Sequence, residues 1–153
     1  MRQKMVLHQD YKELLKLLNE NKVEYLVVGA FALGFYGSPR NTGDIDIWIK
    51  ISKENAQRME KTLIDFGVGS LGHSEKDFLE ESSVIQIGVP PVRIDILTSI
   101  SGVDFLEAYK NKEKIVLDGE EVFYLSKSDF IKNKKASGRL KDLADIEAIT
   151  ERK

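Results

Sequence analysis

Thr42-Gly43-Asp44-Ile45-Asp46-Ile47-Trp48-Ile49 alternates polar and apolar positions with period two, the pattern of a half-buried β-strand. Residues i and i+2 of a strand point to the same face. Asp44, Asp46 and Trp48 therefore share one side, while Ile45, Ile47, Ile49 and Ile51 line the other. Val92-Arg93-Ile94-Asp95-Ile96-Leu97 has the same form and sets Arg93 and Asp95 on one face. Tyr25-Leu26-Val27-Val28 is a short buried strand, expected to pair with the strand that carries the two aspartates.

The remaining elements follow outward from these strands. Leu14, Leu15, Leu17 and Leu18 have helical spacing between Asp10 and about Asn21, with Asp10 as the expected cap. Gly29-Ala30 ends the first strand, and Phe31 to Tyr36 is a short helix closed by Gly37 and Pro39. The double-aspartate strand is expected from Asp44 to Ile51. Ser52 caps a following helix with Ala56, Met59, Leu63 and Ile64 on its inner stripe. Gly67 to Glu75 is a loop, and Lys76 to Leu79 one helical turn. Val84 to Ile87 and Val92 to Leu97 are strands joined through Gly88-Val89-Pro90-Pro91. Ser101 or Asp104 opens a short helix to Tyr109. Ile115 to Leu117 and Val122 to Tyr124 flank Asp118-Gly119, a hairpin turn. Ser126 or Ser128 caps a helix through Lys135, and Leu140 to about Thr150 is a last one. Helices interleave with strands throughout, which predicts an α/β or α+β domain with a mixed β-sheet. The expectation is one domain over 1–153, its C-terminal helical part at about 126–150.

Composition narrows the function. The chain has 153 residues, 42% of them apolar and 31% charged, as in an ordinary globular protein. A net charge of −2 argues against nucleic-acid binding driven by bulk electrostatics. Without cysteine there is no disulfide, thiolate zinc site or cysteine nucleophile. No stretch approaches the length of a membrane span and there is no secretory leader pattern, so a cytoplasmic protein without membrane contact is expected.

The aspartates carry the chemistry. Two carboxylates on one half-buried strand face repel each other and lose solvation. A cation between them relieves both costs. Asp95, embedded between Ile94 and Ile96, supplies a third carboxylate and completes an all-oxygen site suited to Mg²⁺ or Mn²⁺. The strand–Gly29-Ala30–helix turn offers free backbone N–H groups to phosphate oxygens.

Gly29-Ala30, then Asp44-x-Asp46, then Ile94-Asp95-Ile96 resembles the nucleotidyltransferase superfamily of polymerase-β-like fold. Three stretches are similar to small bacterial nucleotidyltransferase-like proteins related to abortive-infection toxins: Tyr25 to Trp48, Val84 to Val103, and Asn133 to Ile146. The resemblance implies a mixed sheet with helices packed mainly on one face, an open catalytic cleft and short C-terminal helices. It implies transfer of a nucleoside monophosphate from an NTP such as ATP to a hydroxyl on a small molecule, an RNA or a protein. Asp44 and Asp46 would hold two Mg²⁺ ions, and Asp95 would bind the second and help deprotonate the acceptor. Gly29 and Ala30 would hold the β- and γ-phosphates, and Lys134 would approach the triphosphate. Ala30 departs from members with serine there, which gain a hydroxyl contact. The competing implication is a toxin–antitoxin or sensor component that acts through a protein partner such as an antitoxin. The small C-terminal part suggests that a homodimer completes the acceptor pocket.

Several other polar residues stand where either a functional or a structural role fits. Arg40 and Thr42 precede the aspartate pair, within reach of phosphate or base or in a solvated loop. Arg93 faces the same way as Asp95 and can pair with an aspartate or bind phosphate, and Gln86 is expected on that side too. Lys132, Lys134, Lys135, Arg139 and Lys141 form the densest basic run; Asp142 and Asp145 have structural roles there. His8 and His73 lack metal-ligand spacing, and Trp48 is expected to pack in the core.

Overall fold

The alternating strand lies inside a six-stranded mixed sheet of order β3-β4-β2-β1-β6-β5. The computed structural model describes residues 8–36, 44–69, 72–89, 92–139, 143–144 and 146–147. Its elements in chain order are α1 (Gln9–Glu20), β1 (Tyr25–Val28), α2 (Gly29–Leu33), β2 (Asp44–Ile49), α3 (Lys53–Asp65), β3 (Val84–Val89), β4 (Val92–Leu97), α4 (Phe105–Lys110), β5 (Glu113–Leu117), β6 (Glu120–Tyr124) and α5 (Lys127–Ser137). One 3₁₀ turn (Gly34–Tyr36) extends α2, and another (Glu75–Phe78) supplies the helical turn expected near Lys76. Residues 143–144 and 146–147 are helical.

β2 pairs antiparallel with β1, as expected, and parallel with β4. β3–β4 and β5–β6 are antiparallel pairs, and β6 lies parallel to β1. The β5–β6 turn puts Asp118 at φ 50° and Gly119 at φ 82°, the left-handed pair a two-residue hairpin needs.

The two sheet faces bury different sets. Ile45, Ile47, Ile49, Ile94 and Ile96 pack with Leu14, Leu15 and Leu18 of α1 and with Ala56, Met59 and Leu63 of α3 in the larger core. Leu26, Val28 and Trp48 on the opposite face form a smaller cluster with Phe105, Ala108 and Phe130 of α4 and α5. Trp48 is core, as expected; it meets Phe105 edge-on at 5.0 Å between centroids. Such a contact contributes about 1 kcal/mol beyond its burial.

Several local expectations are corrected. His8 rather than Asp10 caps α1: its Nδ1 accepts the Asp10 N–H at 3.0 Å, and Asp10 sits in the first turn, where its charge faces the positive helix end. The helix after β1 starts at Gly29, two residues before Phe31. β2 ends at Ile49, and Ile51 is 36% exposed, because the chain leaves β1 after the Lys50 N–H bond to the Glu24 carbonyl to enter α3 at Ser52. Ile64 is 58% exposed, about 100° round the helix from buried Leu63. Asn55 and Thr62 complete the inner face of α3 in its place. Asn55 can be buried because its amide accepts the Glu24 N–H (2.8 Å) and donates to the carbonyls of Glu24 (3.1 Å) and Lys50 (2.9 Å).

Ser52, Asp104 and Ser126 cap α3, α4 and α5 through their side chains. α5 runs two residues past Lys135 and ends at Gly138, whose φ of 67° makes a left-handed cap. Gly37, Pro39, Pro90, Pro91, Lys141, Asp142 and Asp145 lie outside the described residues.

Candidate active site

The β2–β4 register assembles the site. Asp46 stands directly across from Asp95, and Asp44 from Arg93. Because paired residues share a face, all four side chains leave the sheet on the side of Trp48. Oxygens of Asp44, Asp46 and Asp95 all lie within 4.8 Å of one another. The three acids inferred from two separate runs of sequence thus form one cluster.

Burial grades across the cluster. Asp44 is half-buried, while Asp95 is 6% exposed. Arg93 Nη2 donates to Asp44 Oδ2 at 3.0 Å and to Asp95 Oδ2 at 3.1 Å. Asp95 Oδ1 and Arg93 Nε are buried and have no hydrogen-bond partner among the described residues. Burial, followed by the charges of Asp44 and Asp95, pushes the Asp46 carboxyl up to about 7; the Lys134 ammonium pulls the other way.

Gly29 shapes the other wall. β1 ends at Val28, which pairs with Asp46, and Gly29 turns there at φ 71°. A Cβ at this position would collide with the Asp46 carboxylate. The turn therefore reaches the acid cluster only because residue 29 has no side chain. Ala30 follows as the second residue of α2.

Lys134 comes to the cluster from α5. It acts electrostatically on Asp46, and its Nζ lies 5.4 Å from the Phe130 ring centroid. The docking of α5 was not visible in the sequence. Gly102, at φ 72°, lies where a Cβ would collide with Ala136, and Asn133 Nδ2 donates to the Ser101 carbonyl at 2.9 Å. Tyr11 was missed as well: its hydroxyl donates to the Arg93 carbonyl at 3.2 Å. The Tyr11 hydroxyl pKa is raised, mainly by burial and then by the three aspartates. Tyr11 stands at helical spacing from Leu14 and Leu15, so nothing in the sequence separates it from the apolar stripe of α1. Gln86 pairs with Asp95 across β3–β4 and is exposed on the acid side, as expected. Arg40 and Thr42 lie outside the described residues.

The donor set fits a hard divalent cation. It offers carboxylate oxygens alone, and one buried oxygen, Asp95 Oδ1, lacks a protein partner among the described residues. Among those residues no helix is long and apolar enough to cross a membrane.

No family model matches the chain, and no curated protein matches it in sequence. Solved structures do match it in fold. A crystal structure described as a candidate nucleotidyltransferase from Thermotoga maritima superposes with a TM-score of 0.60 at 20% identity, covering 93% of this chain and 91% of the other. An antigenic nucleotidyltransferase-like protein from Paracoccidioides brasiliensis gives 0.54 at 13% identity, over 95% of this chain and 78% of that one. At these identities the likeness is one of architecture: the chain has a nucleotidyltransferase fold.

Proposed function

We propose that this protein transfers a nucleoside monophosphate from an NTP to a hydroxyl acceptor, with Mg²⁺ or Mn²⁺ held by Asp44, Asp46 and Asp95. The observation that carries the reading is the convergence of three carboxylates from adjacent strands of this fold, one of them buried with an unpartnered oxygen. Two ions bound there supply charge neutralisation to the reacting phosphoryl group and its leaving oxygens.

The chain's own residues do the positioning. Gly29 and Ala30 direct their backbone N–H groups at the β- and γ-phosphates, and Lys134 balances triphosphate charge from α5. Arg40 and Thr42 contact phosphate or base just before β2. Asp95 accepts the acceptor's hydroxyl proton. The acceptor oxygen attacks the α-phosphorus, the bond to the bridging oxygen breaks, and pyrophosphate leaves. This reading is supported by Gly29 packing against Asp46 and by the effect of Lys134 on Asp46. The tie to abortive-infection nucleotidyltransferases rests on the three sequence stretches that resemble that group.

The test is transfer of label from α-labelled NTPs with Mg²⁺ present. Asp46→Asn is expected to lower the rate at least about 100-fold, since it removes a ligand. Undiminished transfer by Asp46→Asn, or no NTP binding that Mg²⁺ strengthens, would refute the proposal.

A further inference from the structure

We infer that Arg93 is a built-in counter-cation that holds the acid cluster closed without metal and must be displaced when a divalent ion enters. The inference rests on the metal reading above and goes beyond it, because it concerns what the ion competes with.

The argument is geometric. One nitrogen, Arg93 Nη2, donates to Asp44 Oδ2 at 3.0 Å and Asp95 Oδ2 at 3.1 Å, so the guanidinium already bridges two of the three acids. The bridge is not arranged for arginine's own hydrogen bonding: Nε is buried with no partner among the described residues, and so is Asp95 Oδ1. A guanidinium settled as a permanent structural partner normally binds a carboxylate through two nitrogens in a fork. Here a single nitrogen serves two acids while other polar atoms go unmatched. A divalent ion and a guanidinium on the same two carboxylates share one pool of negative charge and repel each other, and the ion holds its oxygens at about 2.1 Å against about 3 Å for the guanidinium nitrogen.

Arg93 is flanked in register by Asp44 on β2 and by Gly88 on β3. Gly88 is exposed and has no side chain, so at that register position β3 sets no side chain against the guanidinium. The arginine backbone stays anchored because its carbonyl accepts the Tyr11 hydroxyl. The head can therefore swing while the ladder position holds. Once displaced, it is a cation at the cleft wall.

The experiment is calorimetric titration of metal-stripped protein with Mn²⁺ alone, comparing wild type, Arg93→Gln and Arg93→Lys at one fixed pH. Arg93→Gln is expected to bind at least about tenfold tighter, because two charge-assisted hydrogen bonds no longer need breaking. Arg93→Lys should fall between the two. In wild type, the ¹⁵N side-chain signal of Arg93 should shift saturably as Mg²⁺ is added, a readout independent of how any variant folds. Equal or weaker Mn²⁺ binding by Arg93→Gln, or an Arg93 signal unmoved at Mg²⁺ saturation, overturns the counter-cation role and leaves the metal site standing. Absence of Mn²⁺ binding in both wild type and Arg93→Gln overturns the metal reading itself.

Discussion

Asp46→Asn should make the metal-free protein more stable, by an amount that grows with pH. Asp46 is half-buried and faces Asp44 and Asp95, and its carboxyl is pushed up to about 7 in the folded chain against 3.8 unperturbed. The sign follows from linkage. Between about pH 4 and 7 the folded state keeps a proton that the unfolded state has lost, so stability falls as pH rises through that window. Below it Asp46 contributes no slope; above it the whole penalty is present. A difference of about three units corresponds to roughly 4 kcal/mol. For a chain of this size that is on the order of 10 °C in melting temperature. Asparagine keeps the shape without the charge. Thermal unfolding in EDTA should show wild type and Asp46→Asn converging near pH 4 and separating by about 10 °C near pH 8, the variant higher. Millimolar Mg²⁺ should raise the wild-type midpoint near pH 8 and close much of that gap. Two melting profiles that run parallel from about pH 5 to 8 would show that Asp46 is not held protonated by its surroundings, and the reasoning would fail.

Three further outcomes follow from packing. Gly29→Ala places a methyl group against the Asp46 carboxylate at a φ of 71°; it should cost about 2 kcal/mol in urea unfolding and weaken Mn²⁺ binding although every acid is intact. Gly102→Val should wedge α5 from the loop beneath it, exposing Phe130 and Trp48 to solvent, which a red shift of the Trp48 emission would report. Asn55→Ala leaves the Glu24 N–H and the Lys50 carbonyl without their side-chain partner, while the Glu24 carbonyl keeps the Lys50 N–H, and it should destabilise the fold by about 2 kcal/mol by chemical denaturation.

The acids were legible because a period-two pattern needs no partner to interpret: Asp44-Ile45-Asp46-Ile47 declares its own two faces. Which strand lies beside β2 is a different kind of information. β4 comes to lie beside β2 only through a parallel pairing of residues 49 apart in the chain, which no local pattern encodes. Hydropathy misled at Ile64, which lies about 100° round α3 from buried Leu63, and at Asn55, which is buried because it bonds three backbone groups at once. It misled at His8, whose ring nitrogen does the capping that composition assigned to Asp10. Gly102 and Tyr11 were silent for a shared reason: their importance depends on what the tertiary fold brings opposite them.

The acids stand on β2 and β4, strands with a neighbour on each side, while β3 and β5 form the sheet's margins. Amides at such positions exchange with solvent mainly through opening of the whole domain, whereas margins and termini fray by themselves. The repulsion among the carboxylates therefore has no local escape: melting one strand end does not separate Asp46 from Asp95 while the ladder around them persists. Any cation that quiets the cluster should slow hydrogen exchange across the entire sheet, including at residues far from the three acids.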